Sequence, residues 1–256
     1  MTFSPDSSFV AGVHLAENRE PRRGGARPSL LILHYTGMSS AAKAIDWLAC
    51  AESGVSCHYV IAEDGRITQL VPEALRAWHA GASHWRSETD INSHSIGIEI
   101  QNPGHQHGYP DFPPSQMQAV VSLAKDIVSR HRMAADGVLA HSDVAPGRKI
   151  DPGEKFNWAL LAKEGLGLWV RPAPVRSDES GLGPGACCGR VARVQQRLAD
   201  YGYGIEPTGV LDQTTEKVLK AFQSHFRQRR VDGRLDRSTE LTLDRLIEAA
   251  HRRVAA

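Results

Sequence analysis

The sequence predicts an α/β fold, a mixed central β-sheet flanked by helices, followed by a small all-α domain of three helices. Three observations predict it. Apolar runs of strand length are interspersed with amphipathic helical segments through about the first 165 residues. Residues 171–187 are rich in Pro, Gly and Ser and carry no periodicity. Beyond them, apolar residues recur at helical spacing. The expected division is 1–170 for the larger domain, 171–187 for a linker and 188–256 for the helical domain.

The elements follow in order. A polar, Arg/Pro/Gly-rich lead-in gives way to Ser29–Tyr35 (SLLILHY), a continuous apolar run suited to a central strand buried on both faces. A helix is expected around Ser40 to Cys50, then strands at Val55–Ile61 and Ile67–Val71. Between those strands, Asp64-Gly65 signals a two-residue type I′ hairpin turn, which needs positive φ at both central residues. In Ser95–Gln101 (SIGIEIQ), Ile96, Ile98 and Ile100 share one face while Gly97 and Glu99 occupy the other. A helix opens at Pro114-Ser115, with Ser115 and Gln118 at capping-box spacing and an apolar stripe from Met117 to Val128. Val138-Leu139-Ala140 reads as a short strand ending at His141, and Phe156–Glu164 as a closing helix. Past the linker, Gly209-Val-Leu-Asp212-Gln-Thr-Thr215 is echoed by Gly233-Arg-Leu-Asp236-Arg-Ser-Thr239, each Asp placed to cap a helix. Val191, Val194 and Leu198, with Val218, Leu219, Phe222 and Phe226, supply the core of a three-helix bundle.

Composition narrows the function classes. The chain has 256 residues, 41% hydrophobic and 23% charged, with a net charge of +1. Nothing there predicts a nucleic-acid partner, which calls for clustered positive charge. The one basic cluster, Arg227 to Arg230, reads as a solvated helix end. No apolar run approaches the roughly 20 residues that span a bilayer. The N-terminal residues lack the basic start and apolar stretch of a secretory signal, which taken at face value predicts the cytoplasm. A monomer is expected. Cys50, Cys57 and the adjacent Cys187 and Cys188 are expected to be buried free thiols.

Polar residues at strand ends carry the chemistry. His34 closes the first strand, Glu99 sits opposite the isoleucines with Gly97 leaving space before it, and His141–Gly153 (HSDVAPGRKIDPG) follows a third strand. An extended Lys149-Ile150-Asp151 step points Lys149 and Asp151 the same way and turns Ile150 to the core. Two histidines and one carboxylate suit Zn²⁺ with a fourth position for water. With twelve histidines in the chain, spacing alone leaves many other triplets open.

Longer motifs narrow the choice. LILHYTG (Leu31–Gly37), VSCHYVIAEDGRITQLV (Val55–Val71), AWHAG (Ala77–Gly81), NSHSIGIEI (Asn92–Ile100) and His141–Gly153 resemble the type 2 family of N-acetylmuramoyl-L-alanine amidases, related in fold to peptidoglycan recognition proteins. The resemblance covers about residues 25–165. It implies that His34, His141 and Asp151 bind Zn²⁺, that Glu99 and Lys149 are catalytic, and that His79 lines the groove. The implied reaction is hydrolysis of the amide between N-acetylmuramic acid, or its 1,6-anhydro form, and L-alanine in peptidoglycan or muropeptides. The alternative is a non-catalytic peptidoglycan recognition protein. The C-terminal segment resembles a three-helix peptidoglycan-binding domain through Val194-Gln-Gln-Arg-Leu198 and its Gly-x-Leu-Asp-x-x-Thr turns. That module points to the periplasm or cell envelope as the alternative compartment. His58 reads as a packing or groove residue, and Gly104–Gly108 as a flexible substrate-side loop.

Overall fold

A computed structural model describes residues 3–254 of the chain. Its strands are β1 (Gly12–Val13), β2 (Arg19–Pro21), β3 (Leu30–Tyr35), β4 (Tyr59–Ile61), β5 (Ile67–Gln69), β6 (Leu75–Ala77), β7 (Ser95–Ile100) and β8 (Val138–Ala140). The helices are α1 (Ala41–Ala49), α2 (Ile91–His94), α3 (Pro114–His131), α4 (His141–Val144), α5 (Trp158–Lys163), α6 (Gly189–Tyr201), α7 (Gln213–Phe226) and α8 (Arg237–Val254). Six strands form one sheet in the order β1-β5-β4-β7-β3-β8, and β2 pairs with β6 apart from it. Only the β4–β5 hairpin is antiparallel within the large sheet. The mixed sheet expected from the apolar runs is thus present.

Register explains the two faces. Leu31 pairs with Ile96 and Leu33 with Ile98, and these residues pack with Ile100 against Val120, Leu123 and Ile127 of α3. The alternate residues, Ile32, Gly97, His34 and Glu99, face the other way. Polar residues are tolerated there because they sit at the carboxyl end of the two central strands.

Several local expectations are corrected. The β4–β5 turn has positive φ at Gly65 (89°) and not at Asp64, and Ala62 N–H bonds the Arg66 carbonyl at 2.9 Å. It is a three-residue loop closed by a left-handed glycine. Ser115 does not cap α3: the helix starts at Pro114 with Pro113 in the N-cap position, and the Ser115 hydroxyl donates to the Glu63 carbonyl. The polar, Arg/Pro/Gly-rich lead-in, where no strand is expected, contributes β1 and β2. Arg227 is fully buried rather than solvated, beside Asp236 at 3.4 Å.

The C-terminal helices form the expected bundle, with Asp212 and Asp236 capping Thr215 and Thr239 N–H groups at 2.8 and 2.7 Å. The bundle also packs onto the rest of the chain. Ile32, Leu139 and Val144 share one apolar cluster with Val191, Leu198, Phe222 and Phe226. Trp85 meets the rings of Tyr201 and Tyr203 edge-on at 5.6 and 5.1 Å. Within 171–187, the Ser238 hydroxyl donates to the Ala173 carbonyl at 2.7 Å, and Leu182 exchanges backbone bonds with Leu235. The stretch read as a linker is tied to α8 and the loop before it.

One buried ion cluster makes a stability prediction. Glu73 on the β5–β6 connection accepts hydrogen bonds from Arg130, His131 (2.7 Å) and Tyr59 (2.6 Å). Burial pushes its carboxyl up, but those bonds outweigh burial and bring it down to about 2. A carboxylate that titrates lower when folded contributes stability present above its ordinary range near 4.5 and lost as the pH falls towards 2. The contribution is on the order of 3 kcal/mol. Glu73→Gln should therefore flatten the fall in melting temperature between pH 4.5 and 2, measured by thermal denaturation; an unchanged slope would remove Glu73 from the acid response.

Candidate active site

His34 comes from the penultimate position of β3, His141 from the first position of α4, and Asp151 from the loop that follows. Their Nδ1, Nδ1 and Oδ2 atoms converge: His34 to His141 at 2.9 Å, His141 to Asp151 at 2.9 Å, and His34 to Asp151 at 3.2 Å. All three side chains are buried. Among the described residues this is the cluster of three donors that could hold a metal ion.

A hydrogen-bond relay sets the histidine tautomers. The Ile91 carbonyl can only accept, so the Ser95 hydroxyl, 2.6 Å away, gives it a proton. Ser95 Oγ therefore accepts from His79 Nε2–H at 3.2 Å, which leaves His79 Nδ1 as an acceptor for His34 Nε2–H at 3.0 Å. His34 is neutral near pH 7, since burial and then the neighbouring His141 hold it down to about 4. Its Nδ1 lone pair must then face the cluster. His141 Nε2 faces the Ala80 carbonyl at 3.2 Å, which turns its Nδ1 towards the cluster. The turn that presents Ala80 is held by Asn92 Oδ1, which accepts from His79 and Ala80 N–H at 3.1 and 2.7 Å. Two ring nitrogens and a carboxylate oxygen within 3.2 Å of one another form a set that a divalent cation would hold together. The donor set, two nitrogens and one oxygen, fits Zn²⁺ with a position left open.

Glu99 pairs in register with His34 across β3 and β7. Its Oε2 is buried and has no hydrogen-bond partner among the described residues. Burial, then the charge of Asp151, push its carboxyl well above the usual range, and Lys149 pulls it partly back. A cavity of about 550 Å³ opens onto Glu99, His79, His141, Lys149 and Asp151. The space expected in front of Glu99 beside Gly97 is taken by His79: a Cβ at Gly97 would lie 2.7 Å from that ring.

The structure brings together all five sequence-predicted site residues. Ile150 does not turn to the core; it is 51% exposed. The Lys149-Ile150-Asp151 step has an isolated bridge from Lys149 to Pro146 and lies in none of the strands among the described residues, so its alternate face is left open. His58 is buried with Nδ1 accepting from Gly97 N–H at 3.0 Å, a structural role. The Gly104–Gly108 loop lines the cavity through His105 and His107, and His105 is fixed by Tyr35 and Glu154. The four cysteines are free, but only Cys57 is buried, Cys187 and Cys188 being exposed. Asn92 and Ser95 escaped the sequence reading. The signal was their place in NSHS just before the Glu99 strand, where polar residues at a buried strand start ask for a structural partner.

Fold and cavity define a class: hydrolases that lay a substrate across the carboxyl end of a mixed sheet, beside a three-donor pocket for a divalent metal. Residues 24–154 match the N-acetylmuramoyl-L-alanine amidase family, and the chain belongs to it. Residues 189–243 match the peptidoglycan binding domain family. The N-acetylmuramoyl-L-alanine amidase AmiD of Escherichia coli (strain K12) is 36% identical over 93% of this chain and 88% of its own length. A structure of E. coli AmiD in complex with the substrate anhydro-N-acetylmuramic acid-L-Ala-D-γ-Glu-L-Lys is similar, with a TM-score of 0.75 and 35% identity over 90% of this chain and 92% of that one. AmpDh3 of Pseudomonas aeruginosa in complex with anhydromuramic pentapeptide also scores 0.75, at 34% identity over 90% of this chain and 95% of that one.

Proposed function

We propose that this chain hydrolyses the amide between N-acetylmuramic acid, or its 1,6-anhydro form, and L-alanine in peptidoglycan fragments, with zinc held by His34, His141 and Asp151. The observation that carries the reading is the convergence of three donor atoms beside a buried carboxyl whose Oε2 has no partner among the described residues. A recognition protein that binds without cutting needs neither that convergence nor the isolated Glu99.

When bound, zinc supplies a Lewis acid that acidifies water and polarises a carbonyl. The chain's own groups do the rest. Glu99 takes the proton of the attacking water on its free Oε2 and returns it to the alanine nitrogen, which would otherwise leave as an amide anion. Its raised carboxyl favours the second half of that exchange. Lys149, on the same loop as Asp151, presents a cation to the oxygen on which negative charge develops. His79 and Ala80 keep His34 and His141 in the tautomers that offer Nδ1.

No helix among the described residues is long and apolar enough to cross a membrane. The match of residues 189–243 supports the cell envelope as the place where the enzyme meets its substrate. The test is turnover of an anhydromuramyl tripeptide together with metal content. His34→Ala should abolish both cleavage and stoichiometric zinc by elemental analysis. Zinc at one equivalent in that variant overturns the ligand assignment.

A further inference from the structure

A second cavity, of about 480 Å³, adjoins the catalytic one and shares His105, Lys149 and Ile150 with it. Its far wall is not part of the amidase sheet. Lys217, Lys220, Ala221 and Ser224 of α7 face it, and Arg229 closes it. The spacing of those helical residues places them on one side of α7. Lys217 is seated against the catalytic half of the chain: Gly147, at φ 75°, has no room for a Cβ because the aliphatic stem of Lys217 lies across it. The ridge between the two cavities is the exposed Ile150.

The charges lining this cavity are lopsided. Lys149, Lys217, Lys220 and Arg229 contribute four cations, against one carboxylate from Glu154. Glu154 is engaged by His105 at 3.0 Å and Lys220 by Glu216 at 2.7 Å. Lys217 and Arg229 have no ion-pair partner among the described residues, and both are exposed. A different kind of group also meets the cavity: Ser142 Oγ is buried and without a hydrogen-bond partner among the described residues. A cleft with free cations, an uncommitted hydroxyl and an apolar sill at its entrance suits an extended anionic chain.

We propose that this cleft is a subsite for the carboxylates of the stem peptide on the departing side of the scissile amide, so that α7 forms part of the substrate site. The inference rests on the amidase reading. A γ-linked glutamate leaves its α-carboxylate free, and the peptide ends in another. Three residues beyond the cut bond span about 10 Å, and the two cavities meet at His105, Lys149 and Ile150. Neutral sugars of a glycan strand would gain nothing from four cations.

The test uses the full chain and two probes, an anhydromuramyl-L-Ala-γ-D-Glu-L-Lys with free carboxylates and the same molecule with both converted to carboxamides. Binding is read by calorimetry in the slow Glu99→Gln background, with and without the Lys217→Glu, Arg229→Glu pair. Removing two exposed ion pairs and replacing each with repulsion should weaken the free acid about tenfold at low salt. The carboxamide should change less than twofold, and added salt should shrink the difference. Equal weakening of both probes, pointing to a glycan or to lost packing, overturns the proposal, as does unchanged binding of the free acid. Binding is measured whether or not the bond is cut. Failed turnover by wild type would therefore count against the amidase reading alone.

Discussion

Glu99→Gln yields a folded, zinc-binding chain whose turnover falls by about 10²–10⁴-fold, the range for losing an acid–base group. The substitution keeps shape and burial and removes only the ability to carry a proton. Glu99 makes no hydrogen bond through Oε2 that folding depends on, so melting should be little changed. It is not among the three converging donors, so zinc content should stay at one equivalent. The measurement is kcat on an anhydromuramyl tripeptide with elemental analysis of the same sample. Turnover near wild type with zinc in place would sink the role given to Glu99. Loss of zinc would show instead that Glu99 helps hold the metal.

The parts of this site written in local pattern were readable from sequence, and the parts set by distant contacts were not. His34 and Glu99 stand out because a polar side chain on the inner face of an apolar strand needs a reason. Register then pairs them without any further information. Asp151 and Lys149 needed the resemblance, since a loop residue carries no periodicity. The tautomer relay from Ile91 through Ser95 and His79 to His34 joins three separate segments, and no spacing rule reaches across them. Arg227 misled for the same reason. A run of arginines usually marks solvent, but here Asp236 and Thr239 from the next helix bury one of them. Short strands such as β1 and β2 lack the apolar alternation that a strand reading depends on, because backbone pairing alone places them. Ile150 shows the converse. Alternation predicts burial only where a second layer covers the strand, and the 149–151 step has none.

The HSD segment that carries His141 makes the second large prediction. Asp143 is fully buried and accepts from Ala140 N–H at 2.8 Å, from Tyr203 hydroxyl at 2.6 Å and from His225 Nδ1–H at 2.7 Å. Two of the three donors belong to the C-terminal helical region, so one carboxylate joins that region to the helix that carries His141. Asp143→Ala leaves His225 between the rings of Trp158 and Phe226, 3.7 and 3.8 Å away, with neither nitrogen bonded. Leaving buried donors without their acceptor costs about 1–3 kcal/mol each, several kcal/mol for the three together. For a chain of this size that is a fall in melting temperature of roughly 10 °C. Tyr203→Phe, which removes one bond to the charged group, should cost about 1.5–3 kcal/mol. Because Ile32, Leu139 and Val144 share their cluster with α6 and α7, the chain should still unfold in a single transition. Two separated transitions in calorimetry, or a loss under about 1 kcal/mol in Asp143→Ala, would mean that the helices are an appendage. A single, lowered transition would mean that α7, with Lys217 on its surface, is fixed against the catalytic cavity by the same contacts that hold His141 in place.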